Sequence, residues 1–480
     1  MTDKSTLLSQ SLPEDETSLK YMLKLAGPMI VTTISFTVMQ FVDRLMVSRL
    51  GTEALAAILP AGMTSFLPGS FAVGVSVSIA TFVSQSLGRG EKGSCSSYCW
   101  QSIYMGLAYF AIVVAVMWPA APAAFRMMGY EPAVVELEVT YFRIMLYAQV
   151  LAVFIWSSSQ FFMGIHRPII TMYAELCGQT VNIIANYILI FGKLGFPEMG
   201  IAGAAWGTFI GITVGAGVRM AMFLSSDINA QFKSRQTMKI DFNKMGNLLK
   251  VGSPAGFELM INIALWGVIL LGLVGKFGKE ASAATSAVFA CTNVSVMPVV
   301  GLRTALTAAV GKAIGAGRKD AAIKQTRISS RIALIYMGLI GLCFFIFRNG
   351  IMEVWACDDK IIENRVIEIG AKILILAAVY QVFHAARIVY SGALRGAGDT
   401  MWLAIVSALG AVIILGLGGW FAVSFFPELG AVGPWIAATL SVVTVGLANF
   451  WRFKTNKWMQ IDLFKRHPVA VPVENEAAVE

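Results

Sequence analysis

Long apolar runs alternate with short polar breaks along almost the whole chain. A hydrocarbon core about 30 Å thick asks for about 20 mostly apolar residues per helical crossing. Twelve stretches meet that requirement: 22–48, 54–86, 98–122, 140–164, 169–192, 200–224, 250–275, 281–312, 329–349, 367–392, 401–424 and 429–452. Strands of a membrane barrel alternate over about ten residues, so these evenly apolar runs exclude that architecture. Glycine is frequent in the runs and Pro68 and Pro298 lie inside them, which membrane helices tolerate where neighbouring groups take up the freed backbone. The pattern predicts an all-α membrane protein of twelve transmembrane helices.

The runs come in two matching sets. Leu23–Pro28 reads LKLAGP and Leu249–Pro254 reads LKVGSP, an offset of 226 (249 minus 23). GTEALAA at 51–57 answers GKEASAA at 278–284, LGRGEK at 87–92 answers IGAGRK at 314–319, and FPEMG at 196–200 answers FPELG at 426–430. Four matches in the same order at nearly constant offset signal a duplication. Six spans per half is an even number, so both halves enter the membrane in the same sense. The expected architecture is two parallel six-helix bundles related by a pseudo-two-fold axis along the membrane normal, with a cleft between them that rocking exposes to either side. The chain then divides into a disordered cytoplasmic tail (1–20) without the apolar core of a secretory signal, an N-lobe (21–225), a cytoplasmic linker (226–249), a C-lobe (250–455) and a cytoplasmic C-terminal tail (456–480).

Composition agrees: 57% of residues are hydrophobic and 14% charged, with mean hydropathy +0.70, against about 25% charged in soluble domains. A net charge of +9 raises the question of nucleic acid, but the basic residues cluster where topology wants them. Lys233, Arg235, Lys239 and Lys244 lie between spans 6 and 7, and Arg318, Lys319, Lys324, Arg327 and Arg331 lie about the 8–9 connection. The positive-inside rule puts these connections and both termini in the cytoplasm of a multi-pass cell-membrane protein, and no nucleic-acid partner is expected. The acidic stretches Glu131/Glu136/Glu138 and Asp358/Asp359/Glu363 then fall outside. The six cysteines show no metal-ligand spacing and read as small packing residues.

Several motifs resemble those of the multidrug and toxic compound extrusion (MATE) family. They are LAGP at the start of span 1, FVDRLMVSRLGTEALAA (41–57) across its end, VNIIANYILIFG (181–192) in span 5 and GALRGAGDT (392–400) between spans 10 and 11. Together they cover about residues 20–455. The resemblance implies a secondary antiporter, not an enzyme, that exports amphipathic, often cationic small molecules (xenobiotics among them) in exchange for H⁺ or Na⁺. It implies a monomer among membrane lipids, with no cofactor besides the coupling ion. Read without the family, LRGAGDT is a hinge in which Arg395 caps a helix end or meets headgroups and Asp399 accepts backbone hydrogens at the next helix start.

Ionisable residues inside spans are costly and are candidates by default. Arg44, Arg143, Arg219 and Lys372 lie near span ends and are expected to snorkel. Asp43 lies several residues inside span 1, one turn after Gln40, and Asn182 and Asn186 share one face of span 5. One carboxylate with neutral amide oxygens suits a proton or a dehydrated Na⁺; the same residues also make a plain interhelical clamp. The resemblance implies that Asp43, Asn182, Asn186 and Gln40 form the coupling site, with Asp43, Asn182 and Asn186 the Na⁺ ligands if Na⁺ is used. Some members carry Asp where Asn186 stands, so one fewer group titrates here.

In the C-lobe the resemblance predicts an acid in span 7 and another in span 10. Asn262 takes the first place, with Glu258 one turn earlier, and His384 takes the second, with Arg387 one turn later. Glu258, Asn262, Arg303, His384 and Arg387 are expected to line the substrate cavity, with Glu258 paired to an arginine or to His384. Two other functions remain open. A lipid-linked precursor flippase of the same superfamily needs a strongly cationic cavity, and a lipid-modifying membrane enzyme needs a catalytic motif; no HExxH, nucleophile elbow or P-loop occurs. No filter-like motif marks a channel.

Overall fold

Lipid offers backbone groups no hydrogen-bond partner, so apolar runs of this length must satisfy them within helices. The computed structural model describes residues 14–50, 52–127, 132–264, 271–354 and 360–464, and every regular element among them is helical. The first lobe comprises α1 (Leu19–Ser48), α2 (Thr52–Gly88), α3 (Lys92–Met127), α4 (Pro132–Gly164), α5 (Pro168–Phe191) and α6 (Gly200–Phe223). A short α7 (Ser226–Phe232) leads to the second lobe. That lobe holds α8 (Phe242–Ala264), α9 (Leu271–Gly275), α10 (Lys279–Gly315), α11 (Lys319–Ile346), α12 (Arg348–Glu353), α13 (Lys360–Ala397), α14 (Thr400–Leu409), α15 (Gly418–Phe425) and α16 (Val432–Lys454). A π-helical stretch, Gly410–Leu417, joins α14 and α15 into one span.

Among the described residues, 11 helices are long and apolar enough to cross a membrane. The remaining run, 250–275, is represented by α8 and α9 on either side of residues outside the description. Helices overrun the apolar runs where polar residues continue them beyond the lipid: α4 starts at Pro132, not at 140, and α13 at Lys360, not at 367.

The flanking segments differ from expectation more than the spans do. Residues 14–20, read as part of a disordered tail, form a 3₁₀ turn (Glu14–Thr17) and the start of α1, capped by Ser18 Oγ accepting from the Tyr21 amide at 3.1 Å. The 226–249 linker is docked on α3. Trp100 Nε1 donates to the Ser234 carbonyl at 2.8 Å, Tyr104 Oη to the Met238 carbonyl at 2.7 Å, and Gln101 both donates to the Lys239 carbonyl and accepts from the Asp241 amide. Beyond α16, Trp458 is buried against Phe453 and Phe464 packs edge-on to Phe82; residues 465–480 lie outside the description. Cys95 and Cys99 are buried as expected of packing residues, whereas Cys177 and Cys343 face outward; Cys357 lies outside the description.

The lobes meet along a seam of close backbone contacts. A Cβ on Gly74 would stand 2.4 Å from Gly256 Cα, one on Gly88 2.2 Å from the Lys312 carbonyl oxygen, and one on Gly315 2.1 Å from the Gln85 carbonyl oxygen. Small residues here let α2 reach α8 and α10, the packing that membrane helices use in place of a hydrophobic drive. Thr81 and Gln85 donate across the seam to the Arg395 and Gly396 carbonyls at 2.8 and 2.9 Å. Tyr21 Oη lies 2.5 Å from His166 Nδ1, while His166 Nε2 donates to the Ala308 carbonyl at 3.1 Å. These contacts lie toward the face bearing the basic linkers, here termed the basic face. Moving away from it, they stop at Thr33 of α1, which donates to the Met297 carbonyl, and at the Phe71–Phe257 ring pair. No interlobe hydrogen bond or ring contact lies beyond these points among the described residues. Among the described residues the interlobe hydrogen bonds and ring contacts therefore gather on the half of the molecule nearer the basic face.

Candidate functional site

The first-lobe site follows from a stripe on α6. Gly203, Gly207 and Gly211 recur every four residues and so share a face. Added Cβ atoms would stand 2.6 Å from the Leu189 backbone, 1.9 Å from Asn186 Oδ1 and 2.5 Å from Asn182 Cβ. Their absence lets α5 press onto α6 and fixes Asn182 and Asn186, 2% and 1% exposed, toward α1. Asn186 Nδ2 donates to Asp43 Oδ1 at 2.8 Å. With its amide oriented so that donors meet acceptors, Asn182 also donates to Asp43 Oδ1 at 3.2 Å, and its oxygen accepts from Thr208 Oγ1 at 3.3 Å and the Thr208 amide at 3.2 Å. Asp43 is half-buried, no guanidinium or ammonium pairs with it among the described residues, and Asn186 Oδ1 is buried with no donor. Asp43 lies five residues (48 minus 43) before the end of α1, about 8 Å at the helical rise, so the site sits toward the end of α1 away from the basic face.

The second lobe arranges its polar interior otherwise. Arg395, near the end of α13, forms an ion pair with Glu258 of α8 in which both side chains are 9% exposed. Ser407 of α14 donates to the other Glu258 oxygen at 3.3 Å. One turn on, Asn262 donates to the Glu258 carbonyl at 2.8 Å and accepts from Arg387 at 2.6 Å. Arg303 of α10 packs its stem on α13, where a Cβ on Gly392 would stand 2.9 Å from Arg303 Cγ. His384 lies against the Tyr380 ring, its Nδ1 buried without a partner. Glu258 and Arg387 are both in the electrostatic neighbourhood of Arg395.

A family model described as MatE matches residues 28–188 and 254–418, more than half of the chain. The chain belongs to the MATE family. The two matched segments begin 226 residues apart (254 minus 28) at Pro28 and Pro254, the offset of the internal repeat. Among curated relatives, a probable multidrug resistance protein NorM of Mesorhizobium japonicum is 27% identical over 438 residues, covering 89% of this chain and 92% of its own length. A second NorM, of Rhizobium meliloti, is 25% identical over 452 residues, 94% and 96% of the two chains. Two solved structures share the fold: a MOP superfamily transporter from Pyrococcus furiosus (TM-score 0.83, 20% identity) and an outward-facing multidrug resistance MATE family transporter (TM-score 0.83, 20% identity), each covering 96% of this chain and 100% of the solved one. This MATE protein is thus a multi-pass membrane transporter of the multidrug efflux class and not an enzyme.

Of the residues singled out in the sequence, the structure brings Asp43, Asn182 and Asn186 together but not Gln40, which is exposed and makes no hydrogen bond to Asp43. Position 40 is three residues from 43, about 60° around the helix, and that rotation turns it off the α5-facing side. Glu258, Asn262, Arg387 and Arg395 form one connected group, with Arg303 and His384 beside it.

Three expectations need correction. Arg219 does not snorkel: it is 1% exposed and forms an ion pair with Glu175, with further donation to the Gly215 carbonyl at 3.0 Å. Arg395 is not a helix cap, because α13 stays helical through Ala397 and carries it inward; Gly398, at φ 88°, makes the turn instead. Asp399 makes no capping bond and pairs with Arg452 at 2.7 Å. Separately from these three, Glu138, near the start of α4, is 0% exposed with neither carboxyl oxygen partnered, a burial left unaddressed at the level of sequence. Its spacing from the buried Val134, Val135 and Phe142 was the available signal, since residues 4, 3 and 4 apart share a helix face.

Proposed function

We propose that this MATE protein is a cation-coupled antiporter that exports amphipathic small molecules from the cytoplasm across the cell membrane, with Asp43 as the coupling group and both termini in the cytoplasm. The observation that supports it is a half-buried carboxylate held by two amides on a facing helix with no cation opposing it among the described residues. A charge in that position is stabilised by the amides and can be neutralised by an arriving ion, which is what coupling requires. H⁺ fits better than Na⁺: one carboxylate and the orphan Asn186 oxygen leave most of a Na⁺ shell to water, whereas a proton needs only one carboxyl oxygen.

Neutralisation weakens the acceptor that ties α1 to α5. Pro28 lacks the amide that would bond back along α1, so the helix has a place to bend. Its neighbours Met29 and Ile30 lie against Gly301 of α10 in the seam, so bending there disturbs the contact that holds the basic face closed. An ion shifts the lobes only as far as its affinity differs between the two states. Efflux of a cationic dye from proteoliposomes, with Na⁺ and H⁺ gradients collapsed separately, tests the reading. Wild-type efflux should follow the pH gradient and Asp43→Asn should show none; coupled efflux by that variant refutes the assignment. The excess of arginine in the second lobe favours as a second reading a lipid-linked precursor flippase, which would move such a precursor regardless of Asp43.

A further inference from the structure

The transport reading leaves the charge of the second lobe unused. Glu258 is the sole carboxylate among the described residues in the electrostatic environment of Arg303 and Arg387, which also holds Arg395. Three guanidinium groups thus share the neighbourhood of one carboxylate, and that carboxylate is already engaged: Arg395 takes one oxygen and Ser407 the other. Arg387 is left with a neutral acceptor, Asn262 Oδ1. No acceptor among the described residues meets the Arg303 guanidinium, while Arg395 Nε and His384 Nδ1 are buried and unpartnered. A cation in a low-dielectric interior is costly without a counter-charge. Arg303 and Arg387 are nonetheless both only partly buried, so an entering ligand can reach them.

We propose that this cluster binds an oxyanion, a carboxylate or phosphate-type group carried by the amphipathic substrate, between Arg303 and Arg387, with His384 and Asn262 as neutral hydrogen-bonding flanks. The planar guanidinium fork matches such groups in two-point fashion. The inference rests on the transport reading for its role in export, but not for the binding itself. Depth argues for a small molecule over a lipid headgroup in place. Arg303 lies 12 residues (315 minus 303) before the end of α10, about 18 Å along the helix, well below the headgroup layer. Gly301, two residues from Arg303, carries the contact with α1, so a ligand on Arg303 sits directly behind the seam.

The test uses the full chain in phosphatidylcholine nanodiscs and two dyes on one xanthene ring system, anionic fluorescein and cationic rhodamine 6G, read by fluorescence polarisation. Fluorescein should bind, and Arg303→Gln and Arg387→Gln should each weaken it by about tenfold or more, the worth of a charged hydrogen bond. Arg303→Lys should restore most of the affinity, and rhodamine 6G binding should not fall in any of the variants. Equal loss of both dyes shows that the arginines only hold the fold, and unchanged fluorescein affinity in both glutamine variants removes the site; either result overturns the proposal. Doping the nanodiscs with phosphatidylglycerol separates the sources of the group: no displacement of fluorescein supports a small-molecule anion, whereas displacement overturns it in favour of a lipid phosphate. Binding needs no ion gradient. Loss of gradient-driven efflux with fluorescein binding intact therefore sinks the transport reading alone, and the reverse pattern sinks the oxyanion site alone.

Discussion

In the first lobe a single carboxylate, Asp43, faces neutral amides, whereas in the second three guanidinium groups share the neighbourhood of one carboxylate that is already paired. The scaffold around these groups is shared: Pro28 and Pro254 sit at matching places in α1 and α8, and glycines bring α2 against both α8 and α10. Positions fixed by backbone needs, a missing amide or a close approach, have stayed alike since duplication. Interior side chains have not. Glu258 corresponds to Thr32 at the repeat offset (258 minus 226), and the span formed by α14 and α15 contains no asparagine to match Asn182 and Asn186. A duplicated bundle can thus keep its frame while its two interiors take opposite charges, which on the two readings proposed above serve a coupling cation in one lobe and an anionic group in the other.

Removing the negative side of this contrast should have the largest effect. Asp43→Asn keeps a hydrogen-bonding side chain of the same size but cannot change charge, so gradient-driven dye efflux should drop to the level of empty liposomes while the protein remains monodisperse.

Next comes the second lobe's own ion pair. Glu258→Gln leaves Arg395 buried beside a neutral amide, and breaking a buried pair from one side costs about 3–5 kcal/mol. Thermal unfolding in detergent should show that loss. The double replacement Glu258→Gln with Arg395→Met should recover most of it, because no orphan charge remains. Glu175→Gln in the first lobe should cost less, since Glu175 is 21% exposed and Arg219 keeps the Gly215 carbonyl as an acceptor. Equal losses would erase the distinction between the lobes.

How much of this was readable beforehand depends on what each residue answers to. The spans and the repeat were legible because lipid leaves the backbone one solution, and because the duplicated turns need particular residues such as the glycines of LGRGEK and IGAGRK. Asp43 with Asn182 and Asn186 was legible because a carboxylate near the end of a span and amides four apart are rare and directional. Gln40 lies apart from the group because a rotation of about 60° around α1 cannot be resolved without knowing where α5 packs. Arg395 failed because LRGAGDT reads as a turn, and only the length of α13 decides that it faces Glu258. The α6 glycine stripe was not read as the support of the site, although its period of four was visible: what it packs against is a tertiary fact.

That stripe supplies the third experiment. Gly207→Ala puts a methyl where Asn186 Oδ1 and the Asn186 backbone now lie, and overpacking of this kind costs about 1–3 kcal/mol. Because the displaced group is a partner of Asp43, coupled efflux should fall more than stability does, while fluorescein binding in the second lobe should not change. Gly217→Ala is the control: nothing lies within 4 Å of its added Cβ, and alanine gains about 1 kcal/mol of helix propensity, so this variant should be as stable as the parent or slightly more so.

The smallest effect is expected where the lobes are tied outside either interior. Glu16, just ahead of α1, accepts from Lys312 of α10 at 2.9 Å, and its carbonyl accepts from Gln325 of α11 at 3.2 Å. The first-lobe terminus is therefore strapped to the second lobe on the basic face, beside the seam. Both charges are partly exposed, at 24% and 18%, and such a pair contributes only about 0.2–1 kcal/mol. Lys312→Gln should accordingly shift thermal unfolding little. Any stabilisation the strap gives belongs to the arrangement closed at the basic face, however, so its loss should favour opening there. A spin-label distance between the ends of α2 and α10 on the basic face should lengthen in a larger share of molecules in Lys312→Gln than in the parent. An unchanged distance distribution would show that the glycine seam alone holds the lobes together, and that the two interiors, not the strap, decide which side is open.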